Sequence, residues 1–238
     1  MDKQSKNTKD LEKQVAAREA VKFIKDNDIV GLGTGSTAYF AILEIGEMVK
    51  NGLLIKGVPT SEHTASLARS LGIGLLDMNE VEEIDITIDG ADEFNPDLQL
   101  IKGGGGALFR EKIVASLTKK EIIITDTAKK VEKLGKFKVP VEVVPLALNY
   151  VLKELGRLNG TGIMRLNNGS PFITDNHNYI VDADFGLIDD PVCLSENLNQ
   201  IDGILAHGLF VNLASLVIVG DGDKAVTYTR DDYNNYPG

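Results

Sequence analysis

The sequence predicts an α/β fold: a doubly wound, mostly parallel sheet into which a smaller α+β domain is inserted. Three observations carry this. Between residues 10 and 126, short apolar runs alternate with stretches of helical spacing, the pattern of β-α-β units. Two of those runs pass into glycine-rich turns, Gly33–Thr37 and Gly103–Gly106, and each turn leads into a helical pattern. Beyond about Lys136 the order becomes strand, helix, two strands, helix, strand.

In chain order, residues 1 to about 8 are expected to be frayed. From Asp10 to Lys25, Leu11, Val15, Ala16, Val21, Phe23 and Ile24 recur as on a helix with one buried side. Asn27-Asp28 turns the chain into a strand, Ile29–Leu32, followed by the Gly33–Thr37 turn and a helix. A strand at Leu54–Val58, a helix at Glu62–Leu71 and a short strand at Ile73–Leu75 come next. Ile84, Ile86 and Ile88 alternate with Asp85 and Thr87 in a strand that Asp89-Gly90 ends. Leu98–Ile101 is a further short strand, joined by the glycines to a helix, and Glu121–Asp126 is a strongly apolar strand.

Val141–Val144 then leads into a helix to about Leu155, a strand from Thr161 to Leu166 and one longer or paired strand from Phe172 to Asp184. Asp190-Pro191 opens a helix through Gln200, since proline suits a first helical turn. Ile204–Phe210 is the last strand of this set, whose order is ferredoxin-like. Residues 215–220 and Lys224–Thr229 return as strands of the first sheet. The expected division is therefore a catalytic domain of residues 1–139 and 215–238, with a small domain of residues 140–214 inserted into it.

With 238 residues, 43% of them hydrophobic, the chain can bury one sizeable core or two small ones. No segment approaches the ~20 apolar residues of a membrane span, and the polar start lacks the apolar core of a signal peptide. A single cysteine, Cys193, forbids an intrachain disulfide, suits a reducing cytoplasm and is read as a small half-buried filler. A net charge of −10 without a long basic run argues against a nucleic-acid partner. It leaves room for a small phosphorylated ligand held by a few local lysines.

The chemistry concentrates between Asp89 and Lys112. Here Asp89, Asp92, Glu93, Lys102, Glu111 and Lys112 flank Gly103–Gly106. Carboxylates at the carboxyl end of a strand lie where open α/β sheets place their sites. A glycine loop lets backbone N–H groups approach a ligand closely. The earlier turn, Gly33-Thr34-Gly35-Ser36-Thr37, puts hydroxyls and free N–H groups at a helix N-terminus, an arrangement suited to an anion.

That turn is a near match to a dinucleotide fingerprint, but Ser36 stands where a third glycine would be. The next strand also ends in Pro59-Thr60-Ser61, without an acidic residue for a ribose. A single phosphate group therefore fits better than NAD(P), and capping of the helix by Ser36 or Thr37 would use the same hydroxyls. His63, His177 and His207 have no metal-ligand spacing. Asp89, Asp92 and Glu93 could hold Mg²⁺, with Lys102 competing for the same carboxylates.

Gly-Thr-Gly-Ser-Thr, Asp-Gly-Ala-Asp-Glu, Lys-Gly-Gly-Gly-Gly-Ala with Arg-Glu-Lys, and Leu-Gly-Lys-Phe followed by Pro-Val-Glu-Val together resemble type A ribose-5-phosphate isomerase, in order and over nearly the whole chain from Leu11 to Tyr228. The resemblance implies a Rossmann-like domain paired with a ferredoxin-like one. It implies interconversion of ribose 5-phosphate and ribulose 5-phosphate in the pentose phosphate pathway, no metal or cofactor, and a homodimer or homotetramer. It places Thr34, Gly35, Ser36 and Thr37 in the phosphate and substrate loop. Asp89, Gly90, Ala91 and Asp92 would lie against the sugar, and Lys102, Gly103, Gly104 and Gly105 beside the reacting carbons. It makes Glu111 the proton-transferring base, with Lys13 and Lys136 as further substrate contacts. His63-Thr64 stands where members of the family vary. A sugar-phosphate deaminase, a CoA-transferase or a non-catalytic sugar-phosphate sensor would share parts of this pattern. A sensor has no use for a proton-shuttling Glu111.

Overall fold

The computed structural model describes residues 3–230. Helix α1 (Lys3–Ala20) leads to strand β1 (Ile29–Leu32), helix α2 (Ser36–Lys50), β2 (Lys56–Pro59), α3 (Glu62–Ser70) and β3 (Ile84–Gly90). A small hairpin follows, β4 (Glu93–Phe94) and β5 (Leu100–Ile101), then α4 (Leu108–Leu117) and β6 (Thr118–Asp126). The next run is β7 (Val139–Val143), α5 (Leu148–Arg157), β8 (Thr161–Met164), β9 (Leu166–Asn167), β10 (Ser170–Pro171) and β11 (Tyr179–Asp184). It ends with α6 (Pro191–Asn199), β12 (Ile204–His207), β13 (Leu209–Phe210), β14 (Leu216–Asp221) and β15 (Lys224–Thr229).

The main sheet has six strands in the order β15-β14-β6-β3-β1-β2, parallel except for the terminal β14–β15 hairpin. Its inner strands are buried on both faces, whereas the edge strand β15 is largely exposed, and alternate residues serve opposite sides. Ile122 and Ile124 pack with Ala16, Ala17, Ile42 and Ile45 of α1 and α2, while Ile123 packs with Ala115, Phe94 and Phe210. Each such buried isoleucine contributes about 1.5–3 kcal/mol. This two-sided burial is why the strands read as continuous apolar runs.

From β1 the chain winds first to β2, then crosses back to β3 on the other side of β1. The strand order therefore reverses between β1 and β3, and an open α/β sheet leaves a crevice at the carboxyl ends of such a pair. Gly33–Thr37 leaves β1 and Asp89-Gly90 ends β3, so both of the motifs singled out in the sequence open onto that crevice.

A second sheet, fully antiparallel, runs β12-β7-β11-β8 and completes the β-α-β-β-α-β order. Its apolar face, with Val141, Val143, Val181 and Ala183, packs with Val151 and Leu155 of α5 and Leu198 of α6.

Several expectations change in detail. Helix α1 starts at Lys3, so the frayed start does not extend to residue 8. The expected strand at Ile73–Leu75 is reduced to one bridge between Gly57 and Leu75. The strand expected from Leu98 begins only at Leu100, because Leu98 turns with φ 54° to close the hairpin with β4. Leu166–Pro171 folds as its own small hairpin, β9–β10. The expected strand Ile204–Phe210 divides at Gly208. Gly208 accepts from Lys102 N at 2.9 Å and donates to Pro140 O at 2.7 Å, and beyond it β13 pairs with β5 instead. A Cβ on Gly208 would come within 2.4 Å of Lys102 O, so only glycine allows this crossing. Cys193 is exposed on α6 rather than half-buried.

Candidate active site

At the crevice, Gly33 and Asp89 meet so closely that a Cβ on Gly33 would lie 2.2 Å from Asp89 Oδ1. The contact lets Asp89 reach the turn after β1. Its Oδ1 accepts from Thr34 N at 3.1 Å and Gly90 N at 2.7 Å, and its Oδ2 pairs with Lys102 Nζ at 2.9 Å. Lys102 is 2% exposed and also donates to Gly90 O at 2.5 Å. Glu111, one turn into α4, places Oε2 3.6 Å from the same ammonium. That is an ion-pair distance, longer than a hydrogen bond. Glu111 Oε2 is buried and has no hydrogen-bond partner among the described residues.

Burial pushes the Glu111 carboxyl up to about 8; Lys102 opposes the rise, and Asp89 and Asp92 add to it. Burial works against the Lys102 charge, but Asp89 and Glu111 outweigh it and hold the ammonium protonated. Glu121, in the middle of β6, is a further buried carboxyl whose Oε2 lacks a partner among the described residues. Burial raises it well above the ordinary value, Asp89 and Glu111 raise it further, and Lys102 lowers it.

A cavity of about 230 Å³ opens above these groups. Its walls include Thr34–Thr37, Gly90–Asp92, Lys102–Gly105, Glu111 and Lys129. At one end stands the start of α2, whose N-cap is Gly35 with φ 123° and no side-chain cap. The expected capping by Ser36 or Thr37 does not occur: Ser36 Oγ instead accepts from Lys13 Nζ at 2.9 Å. The first N–H groups of α2 are thus left to an incoming anion.

Thr34 serves the loop differently. Its hydroxyl lies 2.7 Å from Thr60 Oγ1 and 2.8 Å from Ser61 Oγ, and Thr64 Oγ1 donates to Gly33 O at 2.9 Å. These hydroxyls brace the loop against the start of α3.

Most of the expected site residues converge here, with three differences. Asp89 is 1% exposed and lies beneath the cavity wall, so it holds Lys102 and Thr34 rather than lining the cavity. Lys13 is not on the cavity wall and meets it only through its hydrogen bond to Ser36, while Lys102 pairs with Asp89 and Glu111 and Asp92 Oδ2 accepts from Gly104 N at 2.7 Å. Lys136 is exposed and does not line the cavity, whereas Lys129, absent from the expected set, does. Lys129 ends the turn after β6. There Asp126 Oδ1 accepts from Ala128 N, and buried Glu12 of α1 accepts from the Thr127 hydroxyl at 3.2 Å. A lysine directly after a strand that ends beside β3 was the available sequence signal. Glu93, considered as a metal ligand, is turned away and accepts from Gly135 N at 2.8 Å and Phe137 N at 2.5 Å. Among the described residues no three His, Cys, Asp or Glu side chains gather as a metal site.

Comparison with known proteins decides the family. A family model described as ribose 5-phosphate isomerase A (phosphoriboisomerase A) matches residues 56–224. The chain belongs to the ribose 5-phosphate isomerase A family. It is 50% identical over 220 residues to ribose-5-phosphate isomerase A of Desulfatibacillum aliphaticivorans, covering 91% of this chain and 96% of that one. To the enzyme of Listeria monocytogenes serovar 1/2a it is 47% identical over 208 residues, covering 87% and 93%. The solved ribose 5-phosphate isomerase A of Methanocaldococcus jannaschii superposes with a TM-score of 0.88 at 40% identity, covering 92% and 98%. A D-ribose-5-phosphate isomerase solved in complex with phospho-erythronic acid also superposes with a TM-score of 0.88, at 42% identity, covering 92% and 97%. The family interconverts ribose 5-phosphate and ribulose 5-phosphate, and the chain is accordingly an isomerase; the sensor, deaminase and CoA-transferase readings are not favoured.

Proposed function

We propose that the 230 Å³ cavity performs this isomerisation through a cis-enediolate, with Glu111 carrying the proton. The observation that supports it is a buried carboxylate with one unpartnered oxygen, 3.6 Å from a buried ammonium, on the wall of a cavity with an uncapped helix start at its far end.

The phosphate sits at the start of α2, held by backbone N–H groups, Ser36 and Thr37, with Lys13 and Lys129 adding positive charge. The open-chain sugar then extends toward Lys102 and Glu111, and Asp92 faces its hydroxyls. Glu111 takes the proton from C2. The C2–H electron pair forms the C1–C2 double bond, and the carbonyl electrons move onto O1. Lys102 stabilises the oxyanion. The O2 hydroxyl hydrogen passes to O1, which becomes the C1 hydroxyl of the ketose. The charge then left on O2 forms the ketone as the C1–C2 double-bond electrons take the proton back from Glu111 at C1. One carboxylate above a planar enediolate reaches both carbons, so a single base is enough. Asp89 acts beneath, holding Lys102 and the Thr34 amide in place. Phospho-erythronic acid, bound by the relative named above, offers a carboxylate where an enediolate would carry its oxygens, and we expect it to bind here.

The same reading makes the enzyme cytoplasmic, part of the pentose phosphate pathway, and a homodimer or homotetramer. No helix among the described residues is long and apolar enough to cross a membrane. Light scattering on the purified chain tests the assembly. The activity is tested by incubating the chain with ribose 5-phosphate alone, after exhaustive dialysis against EDTA. A ketose phosphate forming without ammonia, CoA or metal is the expected result. Activity that returns only with Mg²⁺ would overturn the metal-free mechanism.

A further inference from the structure

The glycine loop is held from behind by a residue of the other sheet. Arg165, between β8 and β9, donates through Nη1 to Gly103 O at 3.1 Å and Gly104 O at 3.0 Å. Its charge is already matched: Nε donates to Asp182 Oδ2 at 3.0 Å, and Nη2 pairs with Asp182 Oδ1. The guanidinium therefore acts on the loop as a fixed, planar donor rather than as a free cation.

Holding two successive carbonyls fixes the direction of the next two N–H groups. All peptide bonds among the described residues are trans. In a trans peptide unit the C=O and N–H point opposite ways. The unit containing Gly103 C=O carries Gly104 N–H, which points away from Arg165 and meets Asp92 Oδ2 at 2.7 Å, a residue of the cavity wall. By the same geometry, the unit containing Gly104 C=O turns Gly105 N–H to the cavity side. Gly105 lines the cavity, Arg165 does not, and Gly105 N–H has no acceptor among the described residues.

The steric pattern of the glycines agrees. Gly103 and Gly106 have φ of 96° and 80°, and a Cβ there would lie 2.8 Å from Leu108 or 2.4 Å from Phe172. A Cβ on Gly104 would strike Asp92 at 2.6 Å. Gly105 has neither constraint: its Cβ would meet only Thr34 Cγ2, at 3.6 Å. Packing within the fold therefore does not require glycine at 105, and the space beside it is open to a ligand.

We propose that Arg165, fixed by Asp182, is a positioning residue that aims Gly105 N–H at an oxygen of the reacting carbon chain. This rests on the cavity being the isomerisation site. The carbon chain is the acceptor because the loop runs between Lys102 and Glu111, whereas the phosphate lies at the start of α2.

The test compares Arg165→Lys, Arg165→Met and Gly105→Ala with the native enzyme. Arg165→Lys keeps a cation for Asp182 but cannot hold both carbonyls. Its kcat should fall about 10- to 100-fold, the scale for misplaced catalytic groups. Affinity for phospho-erythronic acid should fall in parallel, inhibition by inorganic phosphate should stay within about twofold, and Tm should stay near native. Gly105→Ala should fold normally and lose phospho-erythronic acid binding. If Arg165→Met fails to fold, Arg165→Lys decides. A folded Arg165→Lys with native kcat and native phospho-erythronic acid affinity overturns the proposal, as does native activity in Gly105→Ala. Equal weakening of inorganic phosphate would place the donor on the phosphate and overturn the chosen acceptor. A native enzyme inert toward ribose 5-phosphate would instead sink the reading of the cavity itself.

Discussion

Lys102 Nζ stands 3.6 Å from Glu111 Oε2, and no hydrogen-bond donor among the described residues reaches that oxygen. The arrangement holds a base close to a cation without neutralising it by a direct hydrogen bond. A substrate proton and a developing oxyanion can enter between the two.

Glu111→Gln keeps the shape and removes the basic oxygen, so kcat should fall about 10²–10⁴-fold, the usual range for loss of a general base. Inorganic phosphate should bind almost as before. In D₂O the native enzyme should place deuterium at C1 of ribulose 5-phosphate and C2 of ribose 5-phosphate. Unchanged exchange in the variant would mean that another carboxylate moves the proton.

A base must be unprotonated to act, and burial holds the Glu111 carboxyl up at about 8 in the free enzyme. The kcat/KM of the native enzyme should therefore rise with pH toward about 8 rather than level off near the ordinary carboxylate value. A profile already flat above pH 6 would contradict this.

Lys102→Met should lower kcat by about 10²-fold or more, as for other oxyanion donors. It also leaves Asp89 buried beside an uncharged neighbour, a loss of about 3–5 kcal/mol for breaking a buried pair. A variant with reduced Tm and near-native kcat would reduce Lys102 to a structural partner of Asp89.

The cavity wall contains Lys129, not Lys136. Lys129→Met should raise KM about 10-fold or more, matching loss of a charge-assisted hydrogen bond, with a smaller change in kcat. Lys13→Met should act in the same sense through Ser36. Lys136→Met should leave both constants near native, and steady-state kinetics on the three variants distinguishes the assignments.

Glu121 gives stability a pH dependence of definite sign. Its folded-state pKa is raised above the unfolded value, so the folded chain holds a proton that the unfolded chain releases. Stability should be fully present below pH 4.5 as far as this group is concerned, and be lost as pH rises from there toward the folded pKa. Glu121→Gln should flatten that decline and raise Tm at pH 8 more than at pH 5. An equal effect at both values would mean that the carboxyl is ionised in the fold.

Motifs and periodicity made much of this legible. Glycine turns after strands, Asp89-Gly90 at a strand end and Glu111 early in a helix are local patterns, and local patterns survive without the fold. Short elements are less legible in the sequence because they depend on partners. Leu98–Ile101 and Ile204–Phe210 are apolar enough for strands of any length, but the hairpin with β4 and the crossing at Gly208 decide where pairing starts and stops. Lys136 stands out in the sequence because it sits in a recognisable motif, yet Glu93 holds the backbone on either side of it while the Lys136 side chain remains exposed.

By itself, then, the sequence determined the alternation of strands and helices and the family, because these follow from residue type and order along the chain, and it singled out Glu111 as the candidate base through the family resemblance. Only the tertiary structure decided that Asp89 lies under the cavity rather than on its wall, and that Ser36 accepts from Lys13 instead of capping its helix. It also decided that Arg165, more than sixty residues from the glycines, holds their carbonyls. The physical reason is the same in each case. A polar group takes the partner that packing brings within about 3 Å once water is excluded, and that distance is a property of the folded chain.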